Sequence, residues 1–304
     1  MCRFFLFNSS PPVLGKPSSL FGGFPVYIAE HMKSDEIINL LWTGGWDSTF
    51  RLLYLLLVKH TQVQPYYIID ADRKSTRFEC LAMQNIKQRI FTEHPKIRDL
   101  LRPTRYIERF DIQPNKEITQ SFERIAGPYY ERLGSQYDWL ARFAHQSGIK
   151  DMELSAHYRD GRGYKVIQAF VVKIEDENGS FFKIDPKFSG LDEHTLFKYF
   201  RFPIMELTID DMKMISRKES FYDLMELTWF CHCPRTNGAP CGVCNPCVGK
   251  IEEGLGSFIP FSSRIRHHLR LYRLPQVLIH LLVKHPRLYS LAKSVKHGIP
   301  SRHL

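Results

Sequence analysis

The chemically most distinctive part of the 304-residue sequence is a short segment that holds five of its seven cysteines. Cys241, Cys244 and Cys247 follow one another with two residues between them, and Cys231 and Cys233 lie just upstream. This spacing lets a knuckle point its thiolates at one ion, and a fourth thiolate from upstream completes a tetrahedral site. The segment therefore predicts zinc held by four cysteines, with a [4Fe–4S] cluster on the same thiolates as the alternative.

A second candidate site is the glycine turn in LLWTGGWDSTF. An apolar run suited to a buried strand ends in Thr43, Gly44 and Gly45, and a helix is expected to begin within two residues. Glycines let the backbone approach an oxyanion, and the N–H groups of the first helical turn point at it. The turn predicts an anion site, with backbone N–H groups from Gly44 through Trp46 at its centre.

Polar side chains follow the glycines directly. Ser48 and Thr49 can add hydroxyl donors to the loop. Asp47 would be repelled by a bare phosphate, so its presence indicates that Mg²⁺ accompanies the anion, with the carboxylate as a direct or water-mediated ligand. The loop holds no lysine and fits neither the Gly-x4-Gly-Lys-Ser/Thr pattern nor the Gly-x-Gly-x-x-Gly fingerprint.

The string from Thr43 to Thr49 resembles the Ser-Gly-Gly-x-Asp-Ser loop of the PP-loop ATP pyrophosphatases, with Thr43 at the usual serine position. The resemblance implies that ATP binds with its pyrophosphate portion in the loop and that the substrate is converted to an adenylate. Asp47 and Ser48 then take the catalytic positions. A purely structural Gly-Gly turn is the alternative.

Further polar residues follow the next predicted strands. Asp70 and Asp72 come directly after the second strand, where they would border the nucleotide, and residues 73–75 could contact phosphate or substrate. Ordinary turn and N-cap chemistry is the competing interpretation. Residues 157–160, after the fourth strand, present the same choice.

The glycine loop near the start and the cysteine site near the end together resemble the 7-cyano-7-deazaguanine synthase family of queuosine biosynthesis. Thr228 and Trp229 precede Cys231 as in that family, which implies that Cys231, Cys241, Cys244 and Cys247 hold the metal. The gap between Cys231 and Cys241 is one residue longer than the corresponding gap in the family. Cys233 is a competing first ligand, because the gap between Cys233 and Cys241 is one residue shorter than in the family.

This resemblance implies an ATP-dependent ligase that forms AMP and pyrophosphate and passes an activated carboxylate to ammonia or an amine. Relatives in bacterial antiviral systems could act on another carboxylate or on a protein terminus, and a homodimer is plausible for the family. Two rival interpretations stay open. One is a tRNA-modifying sulfur transferase with a cysteine-bound metal, and the other is a non-catalytic module that binds nucleotide and zinc.

The elements that must position these residues alternate along the chain. Apolar runs at 37–42, 63–70, 104–112 and 152–158 predict strands, separated by helices that begin near residues 47, 78 and 117. Such alternation with short connections predicts an α/β fold with a doubly wound parallel sheet, whose ligands bind at the carboxyl ends of the strands. The adenine nucleotide α-hydrolase type of this sheet is what the PP-loop resemblance implies.

The net charge of +10 is unevenly distributed. Nine of the 42 Lys and Arg residues fall within 254–304, which holds no Asp or Glu, so residues 1–253 carry 33 basic against 32 acidic side chains. The charge therefore does not make the main body a nucleic-acid-binding domain. The basic tail, with its six histidines, predicts contact with nucleic acid, anionic lipid or an acidic partner, or else a solvated helical appendage.

Four regions are predicted: an N-terminal extension at 1–32, an ATP-binding α/β domain at 33–227, a cysteine-rich zinc-binding segment at 228–255 and a basic helical tail at 256–304. No run approaches the roughly 20 apolar residues of a membrane helix, so we expect no transmembrane segment. Clustered thiols without a secretory signal are typical of a reducing compartment, and we predict a cytoplasmic protein.

Overall fold

The computed structural model describes residues 26–28, 37–127, 133–157 and 161–273. Most of the predicted N-terminal extension, residues 158–160 of the predicted loop and the tail beyond Arg273 lie outside the described residues. For residues 26–28, 161–162 and 269–273 the structure describes the backbone.

Within the described ranges, eight strands form two sheets. They are β1 (Val26–Ile28), β2 (Ile38–Leu41), β3 (Val63–Ile69), β4 (Arg105–Glu108), β5 (Met152–Glu153), β6 (Val171–Asp176), β7 (Gly179–Ile184) and β8 (Phe200–Arg201). The larger sheet has five parallel strands in the order β4-β3-β2-β5-β8. The smaller sheet has the order β1-β6-β7, with β6 and β7 joined as an antiparallel hairpin.

The part of the chain that the structure describes also contains ten α-helices. They are α1 (Trp46–Leu53), α2 (Thr76–Glu93), α3 (Lys116–Ile125), α4 (Gln136–Ser147), α5 (Gly161–Ile167), α6 (Asp192–Phe197), α7 (Ile209–Lys218), α8 (Tyr222–Met225), α9 (Asn245–Glu252) and α10 (Phe261–Arg273). A π-helical turn at Tyr54–Val58 continues α1. This is an α/β protein with a five-stranded parallel sheet flanked by helices, compatible with the predicted doubly wound fold.

The two faces of the large sheet have separate apolar cores, because side chains alternate along each strand. Ile38, Leu40 and Trp42 point to one face and pack with apolar residues of α1 and α2. Leu41 and Tyr66 point to the other face and pack with residues of α3, α4 and α6. Helices therefore cover both faces, as a parallel sheet requires.

The order of the strands creates a topological switch point. From β2 the chain moves to β3 and then β4 on one side, and it returns to the other side of β2 for β5 and β8. The connections after β2 and β5 consequently leave on opposite faces, and a crevice is expected between the carboxyl ends of these two strands. The glycine loop follows β2 and therefore stands at this crevice.

A buried ion-pair network fixes α1 against β5 at the same place. Arg51 on α1 donates two hydrogen bonds to Glu153 on β5, at 2.8 and 2.7 Å, and Arg201 Nε lies 3.2 Å from Glu153 Oε1. Burial by itself raises the pKa of Glu153, but the two guanidinium groups bring it below its ordinary value. This network fixes the position of α1, which follows the glycine loop, relative to the sheet.

Candidate functional site

The glycine turn between β2 and α1 has a conformation that requires glycine. Gly44 has φ +67°, and a Cβ added there would lie 2.9 Å from the backbone oxygen of Glu79 on α2. Gly45 is the N-cap of α1, and no side chain caps the helix there. The first N–H groups of α1 are therefore left without a capping partner, which is the arrangement that binds anions at helix N-termini.

The hydroxyls predicted for the loop take different positions. Ser48 Oγ accepts a hydrogen bond from the backbone N–H of Thr43 at 3.3 Å and lies equally far from Thr43 Oγ1. Thr49 is fully buried, and its Oγ1 accepts a 3.0 Å hydrogen bond from Trp42 Nε1. Thr43 and Ser48 thus belong to the turn itself, whereas the Thr49 side chain stabilises the joint between strand and helix.

Trp46 contributes to the site through its backbone, because its side chain is buried. The indole packs edge-on against Tyr222 and Phe258, with ring centroids 6.1 and 5.7 Å away. Phe258 lies in the region assigned from sequence to the tail, so the start of that region packs beside the first residue of α1. The backbone N–H of Trp46 belongs to the first turn of α1, where it can face a bound anion.

Asp47 lies at the switch point and faces the end of β5. Its Oδ1 lies 3.4 Å from Nδ1 of His157, which follows β5. The Asp47 side chain keeps 30% of its exposure, but Oδ1 is shielded from solvent and makes no hydrogen bond with described residues. Burial raises the pKa of Asp47, whereas His157 and the ammonium of Lys250 outweigh that effect and lower it.

Lys250 is a site residue that sequence reasoning missed. It lies on α9 in the cysteine segment, is only 8% exposed, and places Nζ 4.5 Å from the Trp46 ring centroid. Burial lowers its pKa to about 8. The available signal was its position three residues after Cys247, which puts both residues on one face of a short helix.

Asp70 and Asp72 lie after β3, at the same edge of the sheet as the loop. Both are paired with Arg109, which follows β4. Arg109 Nη2 lies 2.7 Å from Asp72 Oδ2, and Nη1 lies 3.4 Å from Asp70. Asp70 also accepts a hydrogen bond from the backbone N–H of Asp72. These aspartates therefore take part both in a hydrogen bond within the turn and in ion pairs with Arg109, which follows the neighbouring strand.

The buried residue Glu79 on α2 lies next to the glycine turn. Glu79 accepts hydrogen bonds from Tyr67 and Ser75, both at 2.7 Å, and from Arg73 at 3.0 Å. Its backbone oxygen is the atom that faces Gly44. Arg73, one of the residues predicted to contact phosphate, is in this way anchored on α2 next to the glycine turn.

The cysteine segment forms a compact group of four buried thiols. The sulfurs of Cys231, Cys241, Cys244 and Cys247 all lie within 4.8 Å of one another. Two of the sulfur–sulfur distances are 3.9 Å. Four thiolates about 2.3 Å from one zinc ion would be about 3.8 Å apart. The group could therefore hold a metal ion such as zinc, and Cys233 lies outside it.

The thiols and the backbone around them favour charged sulfurs. Backbone N–H groups of Val243 and Cys244 donate to Cys241 Sγ at 3.4 and 3.3 Å. Hydrogen bonding among the four thiols lowers the pKa of Cys241 and Cys244, that of Cys244 to about 7, and raises the pKa of Cys231 and Cys247, which act as the donors. Thiolates are the form that binds metal, so the segment is suited to a closed four-cysteine site.

The cysteine segment packs directly on the glycine loop. The backbone N–H of Trp229 donates a 2.9 Å hydrogen bond to the carbonyl of Gly44. The Trp229 ring stacks on Phe78 of α2, with centroids 4.7 Å apart. Further along, Ser263 on α10 donates to the backbone oxygen of Pro240 at 2.6 Å. The two motifs singled out from sequence thus lie side by side in the fold.

An open cavity of about 500 Å³ lies beside Arg109. Its walls come from the loop after β4 and from α3 and α4, and they include Phe110, Trp139 and Arg142. Arg142 is paired with Asp138 at 2.9 Å. Aromatic faces next to guanidinium groups suit a flat, polar molecule.

No protein-family model matches the chain, and no curated protein matches it either. Among the residues that the structure describes, no helix combines the length and the apolar character that crossing a bilayer requires.

Proposed function

We propose that this protein is an ATP-dependent carbon–nitrogen ligase that forms AMP and pyrophosphate. The observation that carries the proposal is the uncapped N-terminus of α1, which follows the Gly44 turn at the switch point of a parallel sheet. Asp47 stands in that first turn, and its shielded Oδ1 lies 3.4 Å from Nδ1 of His157. These features support nucleotide phosphate as the ligand of the loop.

The proposed reaction has two steps. In the first, a carboxylate oxygen of the substrate attacks the α-phosphorus of ATP, the bond to the bridging oxygen breaks, and pyrophosphate leaves. In the second, the nitrogen of ammonia or an amine attacks the acyl carbon, AMP leaves, and the nitrogen loses a proton to solvent. The N–H groups of α1 would stabilise charge on the departing pyrophosphate.

Two metal ions enter the proposal. The Oδ1 atom of Asp47 is a suitable ligand for Mg²⁺, which when bound supplies positive charge next to the phosphates. Zinc at the four cysteines would be structural, because four thiolates leave no position open for water. The 3.9 Å sulfur–sulfur distances favour a single ion over a cluster in which each thiolate binds a different iron.

The cavity beside Arg109 is the proposed place for the carboxylate substrate. It opens at the carboxyl edge of the sheet, one strand beyond the aspartates that follow β3. Its aromatic and guanidinium groups would suit a flat heterocyclic acid such as 7-carboxy-7-deazaguanine. A different carboxylate, as expected for a defence-type relative, is the second candidate for the same reaction.

The test is an ATP assay that separates AMP from ADP, run with 7-carboxy-7-deazaguanine and ammonia on the zinc-loaded protein. We expect AMP and pyrophosphate from the wild-type chain and a loss of at least about 100-fold in rate for Asp47→Asn. Asp99→Asn, an exposed aspartate on a distant turn, is the matched control and should retain the wild-type rate.

Each rival interpretation predicts a different result. ADP as the product would refute the PP-loop assignment. Iron and acid-labile sulfide in the purified protein, together with RNA-stimulated pyrophosphate release, would favour the sulfur transferase. A non-catalytic module would bind ATP without forming AMP with any substrate.

A further inference from the structure

Phosphate binding at the glycine loop has an electrostatic requirement that the loop alone does not meet. The loop contains no lysine or arginine between Thr43 and Ser48, and Asp47 brings a negative charge into the first turn of α1. A helix N-terminus carries only about half an elementary charge. The Mg²⁺ proposed at Asp47 offsets that carboxylate, so a phosphate group in this position still gains from a cation supplied by another part of the chain.

Lys250 is a mostly buried cation that lies beside that turn. It comes from α9, directly after the last cysteine of the thiol group, and Nζ lies over the indole of Trp46, the first residue of α1. The side chain is more than nine-tenths buried. Within the described part of the chain its ammonium makes no hydrogen bond and no ion pair.

An ammonium group on a side chain that is mostly buried is costly without an ionic partner, so such groups are normally paired. The charged groups that act on Lys250 are Asp47 and Glu253, which attract it, and Lys213, which repels it. Lys213 itself is occupied, because it binds Asp210 and the carbonyl of Glu253. The ammonium thus stands beside the helix N-terminus with its hydrogen-bonding capacity unused.

We propose that Lys250 is a direct ligand of the phosphate or pyrophosphate group bound at the N-terminus of α1. The inference rests on the proposed function for the nature of the anion, and it assigns the missing positive charge to the cysteine segment. The four-cysteine site then has a purpose beyond folding, because it fixes the helix that delivers this ammonium. The loop and the cysteine segment are two halves of one anion site.

The experiment measures binding of inorganic pyrophosphate, with MgCl₂ present, to the zinc-loaded full chain by calorimetry. Loss of one charge-assisted hydrogen bond lowers affinity by roughly 10- to 100-fold. We expect a decrease of this size in the pyrophosphate affinity of Lys250→Met. Lys250→Arg should recover part of the affinity. The matched control is Lys87→Met, a lysine that also lies over a tryptophan, with Nζ 5.5 Å from the Trp42 ring, and it should bind as the wild type does.

A second readout uses the wild-type chain and does not depend on how the variants fold. The pKa of Lys250, followed by NMR of its ε-methylene group, should rise from about 8 when pyrophosphate binds, because the anion stabilises the ammonium. Zinc content and melting temperature of unliganded Lys250→Met should match or exceed those of the wild type, since a buried charge has been removed.

The outcomes separate the inference from the proposed function. Wild-type pyrophosphate affinity in Lys250→Met, or a Lys250 pKa that does not respond to pyrophosphate, overturns the inference even if AMP is formed. Loss of pyrophosphate binding in Lys250→Met with no AMP formed by the wild type retains the anion site and overturns the ligase. A wild-type chain that binds no pyrophosphate overturns both.

Discussion

The backbone N–H of Trp229 donates a 2.9 Å hydrogen bond to the carbonyl oxygen of Gly44. These residues are far apart in sequence, one leading into the cysteine segment and the other at the turn before α1. The bond satisfies a carbonyl that the left-handed turn leaves outside the sheet and the helix. It makes the conformation of the glycine loop depend on the fold of the cysteine segment.

Removal of the metal should therefore disturb the loop as well as the cysteine segment. We expect Cys231→Ser to lose bound zinc, to melt at a lower temperature and to bind pyrophosphate more weakly, because Trp229 and Lys250 are no longer held in place. Metal analysis, thermal unfolding and calorimetry measure the three effects. Cys233→Ser, which lies outside the thiol group, should keep one zinc per chain; if it loses zinc instead, the assignment of the first ligand is wrong.

The Gly44 turn should not tolerate a side chain. Gly44→Ala meets both a left-handed backbone and the Glu79 oxygen 2.9 Å from its new Cβ. Gly148→Ala has nearly the same φ, +64°, with nothing within 4 Å of the added atom. We expect about 1–2 kcal/mol of destabilisation for Gly148→Ala and about 1–3 kcal/mol more for Gly44→Ala in urea unfolding. Equal losses would show that the close approach to Glu79 has no energetic weight.

The buried network around Glu153 should dominate the stability of the joint between α1 and β5. Glu153→Gln leaves the guanidinium groups of Arg51 and Arg201 without their carboxylate, which costs about 3–5 kcal/mol. Glu93→Gln breaks an exposed ion pair with Arg89 and should cost less than about 1 kcal/mol. Chemical denaturation of both variants gives the comparison, and similar values for the two would contradict the role of the network.

Glu153 also predicts the response of stability to acid. Its pKa in the folded chain is below the ordinary value, so its contribution is complete above about pH 4.3 and disappears as the pH falls through the folded value. The unfolding free energy of the wild type should decrease more steeply in this acid range than that of Glu153→Gln. Parallel curves for the two proteins would count against a carboxylate that is charged in the folded state.

Lys250 predicts a dependence of the same sign, but at alkaline pH. With a pKa of about 8 when folded and near 10.4 when unfolded, the unfolded chain binds more protons between these values, so stability rises with pH. The wild type should gain about 3 kcal/mol relative to Lys250→Met across this interval. Other groups that titrate there are common to both proteins and cancel. A constant difference between pH 8 and 10 would mean that the ammonium is not buried in solution.

Local features of the sequence predict much of the site, because glycine turns, cysteine spacing and strand periodicity are short-range signals. Strands were expected at 37–42 and 63–70, and they are found at Ile38–Leu41 and Val63–Ile69. The predictions were too long at 104–112 and at 152–158. There β4 gives way to a 3₁₀ turn at Arg109, and β5 pairs with the two-residue strand β8, so that hydrogen-bonding partners limit strand length more than apolar residues do.

The chain by itself determines two things: a helix N-terminus exposed after a glycine turn, and a set of thiols dense enough to bind one metal. Both follow from residue types within a few positions of each other. Only the tertiary structure decides that Cys231 rather than Cys233 joins the group, that Trp46 and Thr49 turn their side chains inward, and that Lys250 stands over the loop. The contacts of Trp46 with Lys250 and Phe258 join segments some 200 residues apart, whereas the place of Cys231 depends on how the cysteine segment folds. Packing selects these contacts, and no local pattern encodes them.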